Sequence, residues 1–324
     1  MKIAVTGASG HVGNNLCRLL VDQGHQVKAL IHRNNKGLTD LPLEFMQGDI
    51  TNTSDLVNLC SGCEVVFHLA GYISIRETDP LCEKINVRAC LNLVKAATIT
   101  GIKKIIHFSS IHAFQEKPFA AELNESRPLT IASHVSYDHS KAMGQKIMME
   151  SSTSRLEIVV LNPTAILGPY DFKPSLLGSA LIRFYKGEIP ALMPGGYNWV
   201  DVRDVCAAAI NAIESGIPGS CYLLGGSWQS LENLALEIHR LGGHKAPWLE
   251  IPAWMAYLGA PVINLHARMT KKEPLYTAVS LHTLFNSHRN ISIAKAESAL
   301  GFRPRPFHET LSATMTWFRD NHYI

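Results

Sequence analysis

Through its first half the chain alternates short β-branched, apolar runs with longer stretches whose apolar positions recur at helical spacing. Lys2–Thr6 reads as a strand. Asn14–Gln23 carries Leu16, Leu19 and Leu20 at helical spacing, and Gly24 follows where helices commonly end. Val27–Ile31, Leu43–Gln47, Val65–Leu69, Ile105–Ser109 and Ile158–Leu161 continue the strand series, separated by segments long enough for crossover helices. Six strands with intervening helices predict a doubly wound α/β fold around a parallel sheet covered on both faces.

From Gly168 onward the texture changes. Pro169, Pro174, Gly178, Pro190, Pro194, Gly195 and Gly196 interrupt the pattern, so helices there should be short and loops long, as in a substrate-binding region. Trp199–Val205 and Cys221–Leu224 are strand-like again and are expected to return to the sheet, while Leu231–Leu241 and His308–Arg319 have helical periodicity. The organisation expected is a domain at 1–167 and a smaller, interleaved C-terminal substrate domain over most of 168–324, with segments near 197–225 rejoining the first.

The composition, 46% apolar and 18% charged in 324 residues, is that of a chain that folds throughout. A net charge of +3 with no long basic run argues against nucleic acid as a partner. Met1–Thr6 lacks the apolar length of a secretory signal, so a cytoplasmic protein is expected. The most apolar later stretch, Trp248–Leu265, is interrupted by Pro252 and Pro261 and contains Glu250. It falls short of the roughly 20 apolar residues of a spanning helix, and reads as a buried or ligand-facing segment with no role at a membrane. The seven cysteines are scattered, and the Cys60–Cys63 pair has no second Cys/His pair at ligand spacing. The 15 histidines form no metal-binding motif, so no metal site is expected.

Chemistry first enters at Thr6–Gly13, reading TGASGHVG, which follows the first strand directly and opens the next helix. Gly7 permits the tight turn, Gly10 lets backbone approach a pyrophosphate, and Gly13 lets the helix pack on the strand. Ser9, His11 and Val12 complete the loop and first helical turn, whose free N–H groups bind phosphates. An NAD-binding fold commonly ends strand two with a carboxylate for the ribose 2′-hydroxyl. Here Ile31 stands there, followed by His32 and Arg33, and a guanidinium suits a 2′-phosphate, so NADP is expected in preference to NAD. Lys28 and Lys36 are alternative cations.

Tyr137 and Lys141 stand four residues apart, on one face of a helix continuing to about Glu150. A phenol near pKa 10 exchanges protons poorly at neutral pH, and an adjacent ammonium should bring it toward the working range.

Together TGASGHVG, FHLAG (Phe67–Gly71), FSS (Phe108–Ser110) and YDHSK (Tyr137–Lys141) resemble the extended short-chain dehydrogenase/reductases, the NAD-dependent epimerase/dehydratase superfamily with its Rossmann sheet. The likeness runs along the whole chain, through Leu161–Thr164, Gly168–Pro169, Trp199–Val205 and Leu300–Phe302. It is greatest to dihydroflavonol 4-reductase-like reductases and the related sugar epimerase/dehydratase group. The resemblance implies that Tyr137 exchanges a proton with the substrate oxygen while the nicotinamide carries the hydride. It also implies that Lys141 holds the nicotinamide ribose and that Ser110, or Ser109 one residue earlier, orients the reacting oxygen. Asp49 with Ile50 matches the adenine contact, Leu69, Ala70 and Gly71 the adenosine side, Pro163 and Thr164 the nicotinamide border, and Asn86 a frequent structural Asn. Asn162 departs from the Arg many relatives carry. His112 and His134 read as loop residues.

Three functions follow from this. The first is NAD(P)-linked reduction of a ketone or aldehyde, or its reverse, on a small-molecule carbonyl or alcohol substrate. The second is sugar-nucleotide epimerisation or dehydration on retained NAD, which needs cations for a diphosphate; Lys173, Arg183, Lys186, Arg203, Arg268, Lys271 and Lys272 are the candidates. The third is a cofactor-binding regulator that lost its chemistry, which the intact Tyr137, Lys141 and Ser110 oppose. Met143, Ile147, Met148 and Met149 would serve either a homodimer contact or the core.

Overall fold

In strand β1 (Lys2–Thr6), residues Ile3–Thr6 are all buried, as a central parallel strand covered on both faces must be. A computed structural model describes residues 1–270 and 276–324, without the side chains at 262, 264–268 and 270. Helix α1 (His11–Asp22), strands β2 (Gln26–Ile31) and β3 (Glu44–Gln47), helix α2 (Thr53–Cys60) and strand β4 (Val65–His68) follow. A short α3 (Pro80–Cys82) passes through a π-helical turn at Glu83–Arg88 into α4 (Ala89–Thr100). Next come β5 (Lys104–Phe108), α5 (Ser136–Glu150) and β6 (Glu157–Pro163). The rest comprises β7 (Ala165–Leu167), α6 (Leu176–Tyr185), β8 (Gly196–Asp201), α7 (Val202–Ser215), β9 (Cys221–Leu224) and β10 (Ser227–Ser230). Helices α8 (Leu231–Arg240), α9 (Ala253–Thr270), α10 (Ala278–Phe285), α11 (Ala294–Leu300) and α12 (Phe307–Asp320) end the chain.

The main sheet is parallel throughout, in the order β3-β2-β1-β4-β5-β6-β9. It contains all six strands read from the first half, and Cys221–Leu224 joins it beside β6. Strand order reverses between β1 and β4, and in such sheets ligands bind outside the carboxyl ends of the strands at that point.

One strand expectation needs correction. Trp199–Val205 is a strand only as far as Asp201, and that strand belongs to a separate sheet, β10-β8-β7. The Asp201 carboxylate accepts the Arg203 backbone N–H at 2.8 Å and caps α7. With the helix started there, Val202, Val205, Ala209 and Ala212 bury one face at helical spacing.

The main sheet has a core on each face. Leu16, Leu20, Val205, Ala209 and Leu300 cover one side; Leu56, Leu93 and Met148 cover the other. Met148, one of the residues suited either to a dimer contact or to the core, is therefore a core residue. Leu181, Leu234, Leu311 and Phe318 form a third core under the small sheet. Each such side chain contributes roughly 1.5–3 kcal/mol on burial.

The stretch Trp248–Leu265 is buried only in part. Ala256 and Ala260 pack near Leu281 of α10, and Ile251, Tyr257 and Ile263 face a cleft, but Trp248, Trp254, Met255 and Leu258 are exposed. The segment is apolar around most of its circumference, and the protein covers one side of it. Among the described residues no helix is long and apolar enough to cross a membrane. All seven cysteines are buried free thiols, Cys60 and Cys63 included.

Candidate active site

Gly7 leaves β1 with φ of 73°, and a Cβ there would meet the Ala70 nitrogen at 2.6 Å, so the turn after β1 and the loop after β4 touch backbone to backbone. A Cβ on Gly13 would collide with the Gly7 carbonyl, which fixes how closely α1 approaches. Gly10 differs: its only near neighbour is the Gly7 carbonyl at 3.3 Å, so its Cα looks into open space. No side chain caps α1 and no acid stands in its first turn, which leaves the N–H groups of that turn for an anion. Gly7, Gly10, His11, Val12 and Gly13 line one end of a cleft of about 1470 Å³, facing Leu69 and Gly71 across it. The His11 ring is engaged elsewhere, with the Pro169 carbonyl at 3.1 Å.

Farther out, His32 and Arg33 are exposed at the end of β2. His32 Nε2 lies 3.8 Å from the Asp49 carboxylate, which accepts the Thr51 backbone N–H at 2.8 Å. That bond holds the Asp49 pKa below the usual carboxylate value. Arg33 has no ion-pair partner among the described residues. Ile50 packs against the core under α2 and α4. Ser9 is half-buried in the glycine loop, and the Ala70 N–H donates to Thr6 Oγ1 at 3.3 Å.

At the opposite end, Ser110 leaves β5 with its hydroxyl accepting the His112 N–H at 3.2 Å. Asn162, fully buried on β6, donates to the Ser110 carbonyl at 2.8 Å and to Gln145 Oε1 of α5 at 2.6 Å. Asn162 thus ties the serine to the helix that bears Tyr137 and Lys141. Ser109 Oγ and Thr164 Oγ1 are buried without an internal partner on the cleft wall, so both remain free to bond a ligand.

The electrostatics of the pair differ from the sequence expectation. Burial pushes the Tyr137 phenol up, and the Ser110 hydroxyl is the group that opposes this; Lys141 is not among the groups that shift it. Burial also brings Lys141 down to about 8, and its ammonium donates to the Phe108 carbonyl at 3.0 Å. At neutral pH the structure therefore holds a protonated phenol beside a mostly charged amine, an arrangement suited to giving a proton to a substrate oxygen.

Asn86 is committed internally. It donates to the Tyr72 carbonyl at 2.9 Å and to Ser140 Oγ at 3.0 Å, and accepts the Tyr72 N–H at 2.8 Å. It links the loop after β4 to α5 and is not among the residues lining the cleft.

The glycine cradle, the uncapped helix and the unpartnered wall hydroxyls together fit a dinucleotide running from Gly10 to Thr164. A family model described as the NAD dependent epimerase/dehydratase family matches residues 3–225. The chain belongs to that family. It is 30% identical, over the full length of both chains, to the sterol demethylase protein B of Methylococcus capsulatus. It is 28% identical to a putative dihydroflavonol 4-reductase of Synechocystis, covering 99% of this chain and 95% of the other. Among solved structures, that of gox2253 superposes with a TM-score of 0.84 at 28% identity, covering 100% of this chain and 99% of that one.

This epimerase/dehydratase family member is thus an NAD(P)-dependent enzyme of the extended short-chain dehydrogenase/reductase type. Two of its features escape sequence reading. His112, read as an ordinary loop residue, has Nδ1 3.1 Å from Asp138 Oδ1 and its ring edge-on to Tyr137 at 5.5 Å. Burial lowers its pKa, but the Asp138 bond and charge more than reverse this, leaving it raised. His134, by contrast, stays at the exposed rim near Glu77. The fold also gathers His68, Cys90 and His107, one ligand atom of each within 4.8 Å of the others. Burial lowers both imidazoles, His68 to about 3, and raises the Cys90 thiol to about 12. At neutral pH this trio is a buried, uncharged cluster close to Lys141.

Proposed function

We propose that this enzyme uses NADP to reduce a ketone on a bulky, largely apolar substrate to the alcohol, or runs the reverse. The observation that carries the reading is the wall of the cleft beyond Tyr137. Leu177, Phe184, Met193, Tyr257, Leu281 and Leu284 line it, and among the described residues no arginine does; Lys117 is the one lysine of the lining besides Lys141. A nucleoside diphosphate, whose two phosphates call for several cations, would find a single lysine on such a wall. Arg203 is held by Asp201 at 2.9 and 2.7 Å, and Arg183 pairs with Glu188 at 3.7 Å. Of the other cations weighed for a diphosphate, Lys173 and Lys186 are exposed off the cleft, and the Arg268 side chain with Lys271 and Lys272 lies outside the described residues. The named relatives, a sterol demethylase protein and a putative dihydroflavonol 4-reductase, are named for bulky ring compounds, which supports the same substrate class.

Bound in the cradle, the nicotinamide cofactor would supply or accept the hydride. Gly7–Gly13 would hold its pyrophosphate, with Arg33 and His32 on a 2′-phosphate, Asp49 and Ile50 near adenine, Leu69, Ala70 and Gly71 along the adenosine, and Pro163 and Thr164 at the nicotinamide. Ser110 would hydrogen-bond the substrate oxygen, fixing it against the Tyr137 hydroxyl. Tyr137 would give that oxygen its proton, with the Ser110 hydroxyl favouring the phenolate left behind, and Lys141 would hold the nicotinamide ribose.

Titration with NADPH and NADH tests the cofactor reading, with NADPH binding expected to be at least roughly tenfold tighter through the charge-assisted bonds of Arg33. Tyr137→Phe should keep that binding and lose turnover of a bulky ring ketone. Tight retention of NAD through purification, or turnover by the variant, would overturn the proposal.

A further inference from the structure

The segment before and along α9 has two apolar sides. Ala256, Ala260 and Ile263 fall on the inner side, the alanines buried against α10 and Ile263 on the cleft wall. At about 100° per residue, positions 254, 258, 269 and 255 share the opposite arc. There Trp254, Leu258 and Met269 are 63%, 70% and 78% exposed, and Trp248 just upstream is 92% exposed. A helix that is apolar on both sides calls for an apolar cover on both, and the protein supplies one.

The chemistry around the patch selects the cover. Along the chain Lys245 precedes it and Arg268, Lys271 and Lys272 follow, against Glu250 and Glu273. Tryptophan and methionine in a stretch flanked along the chain by net positive charge match the boundary between anionic headgroups and acyl chains. The helix is too short and too interrupted, by Pro261, to span a bilayer. The same segment also contributes Ile251, Tyr257 and Ile263 to the cleft wall, and Tyr257 is itself 38% exposed, so the exposed patch adjoins the cleft.

We infer that Trp248, Trp254, Met255 and Leu258 seat this enzyme on the surface of an anionic phospholipid membrane, with the mouth of its cleft at the lipid boundary. This departs from the sequence expectation of a chain with no role at a membrane. The attachment stands on the patch and its charge alone. Only the further consequence, that an apolar substrate enters from the bilayer without crossing water, rests on the proposed function.

The experiment is sedimentation of the purified full chain with vesicles of phosphatidylcholine alone and of phosphatidylcholine with phosphatidylglycerol, at low and high salt. Tryptophan emission and NADPH binding are followed in the same samples. The protein should sediment with the phosphatidylglycerol vesicles, less at high salt, with blue-shifted emission. The triple variant Trp248→Ser/Trp254→Ser/Leu258→Ser should lose partition by roughly tenfold or more, since each substitution removes a large apolar side chain from the lipid. Its NADPH affinity should be unchanged, which shows that it is folded and separates this test from that of the reaction. Absence of sedimentation, or sedimentation that survives the triple substitution, overturns the inference. So does a patch-dependent dimer seen by light scattering, because a second copy would then be the cover.

Discussion

At the scale of single residues, the site is governed by burial of groups that water would ionise. Lys141 has a folded pKa of about 8 against an ordinary 10.5, so between those values the unfolded chain binds a proton that the folded chain does not. Stability contributed by this group is therefore lowest below pH 8 and rises as pH climbs from 8 to 10.5, by on the order of 3 kcal/mol at most. Lys141→Met should be more tolerant of urea than the parent at pH 7 once loss of the Phe108 bond is discounted, and its advantage should shrink by pH 10. Paired urea midpoints at the two pH values check this, and an advantage that grows with pH would contradict it. His112 has the opposite sign. Its folded pKa is raised, so its pair with Asp138 stabilises fully below the ordinary 6.5 and loses that contribution as pH rises through the folded value. Because its ring stands against Tyr137, His112→Gln should remove one limb of the pH profile of kcat/KM for reduction and lower kcat roughly tenfold. An unchanged profile would leave the residue a packing role.

At the scale of elements, α5 is set by a contact that no local pattern announces. A Cβ on Gly144 would collide with the Asn86 carbonyl in the π-helical turn, while Asn86 itself bonds Ser140 one turn earlier on α5. Gly144→Ala should force these apart and destabilise by about 1–3 kcal/mol. It should also reduce turnover more than NADPH affinity, because it shifts the helix bearing Tyr137 and leaves the glycine loop alone; thermal melts and initial rates test both halves. This contact marks how far the sequence is legible. Strands β1–β6 and the glycine loop declare themselves because each is coded by neighbouring residues, through short apolar runs, β-branched in all but β3, or glycines at fixed offsets. The His112–Asp138 pair, the Asn162 bridge and the trio of His68, Cys90 and His107 join residues distant along the chain, and only the fold brings them together. Trp199–Val205 misleads for a different reason: its β-branched residues continue past Asp201, but a capping carboxylate starts a helix in their midst.

At the scale of the molecule, the question is what keeps the two walls of the cleft in register. Ala165 and Ile166 of β7, Leu177 of α6 and Tyr197 of β8 form the far wall, and all belong to the small sheet and its helices. That unit is joined to the main sheet at the start of α7, where Asp201 and Asp204 gather two arginines. Arg305, just before α12, bonds Asp204 at 2.9 and 2.6 Å and approaches Asp201 at 3.7 Å. Burial raises the Asp201 pKa, but the bonds from Arg203 outweigh it and leave the carboxyl below its ordinary 3.8. Its stabilisation is thus complete above that value and is lost as pH falls through the folded one. Arg305→Ala leaves the Asp204 carboxylate largely buried without its main partner, and should cost about 3 kcal/mol at neutral pH. Since Asp201, Asp204 and Arg305 are not among the residues lining the cleft with the glycine loop, NADPH affinity should be nearly unchanged while KM for a bulky ketone rises. Equal loss of cofactor and substrate affinity would instead show that the joint supports the whole cleft, and that the small sheet does not move as a separate wall.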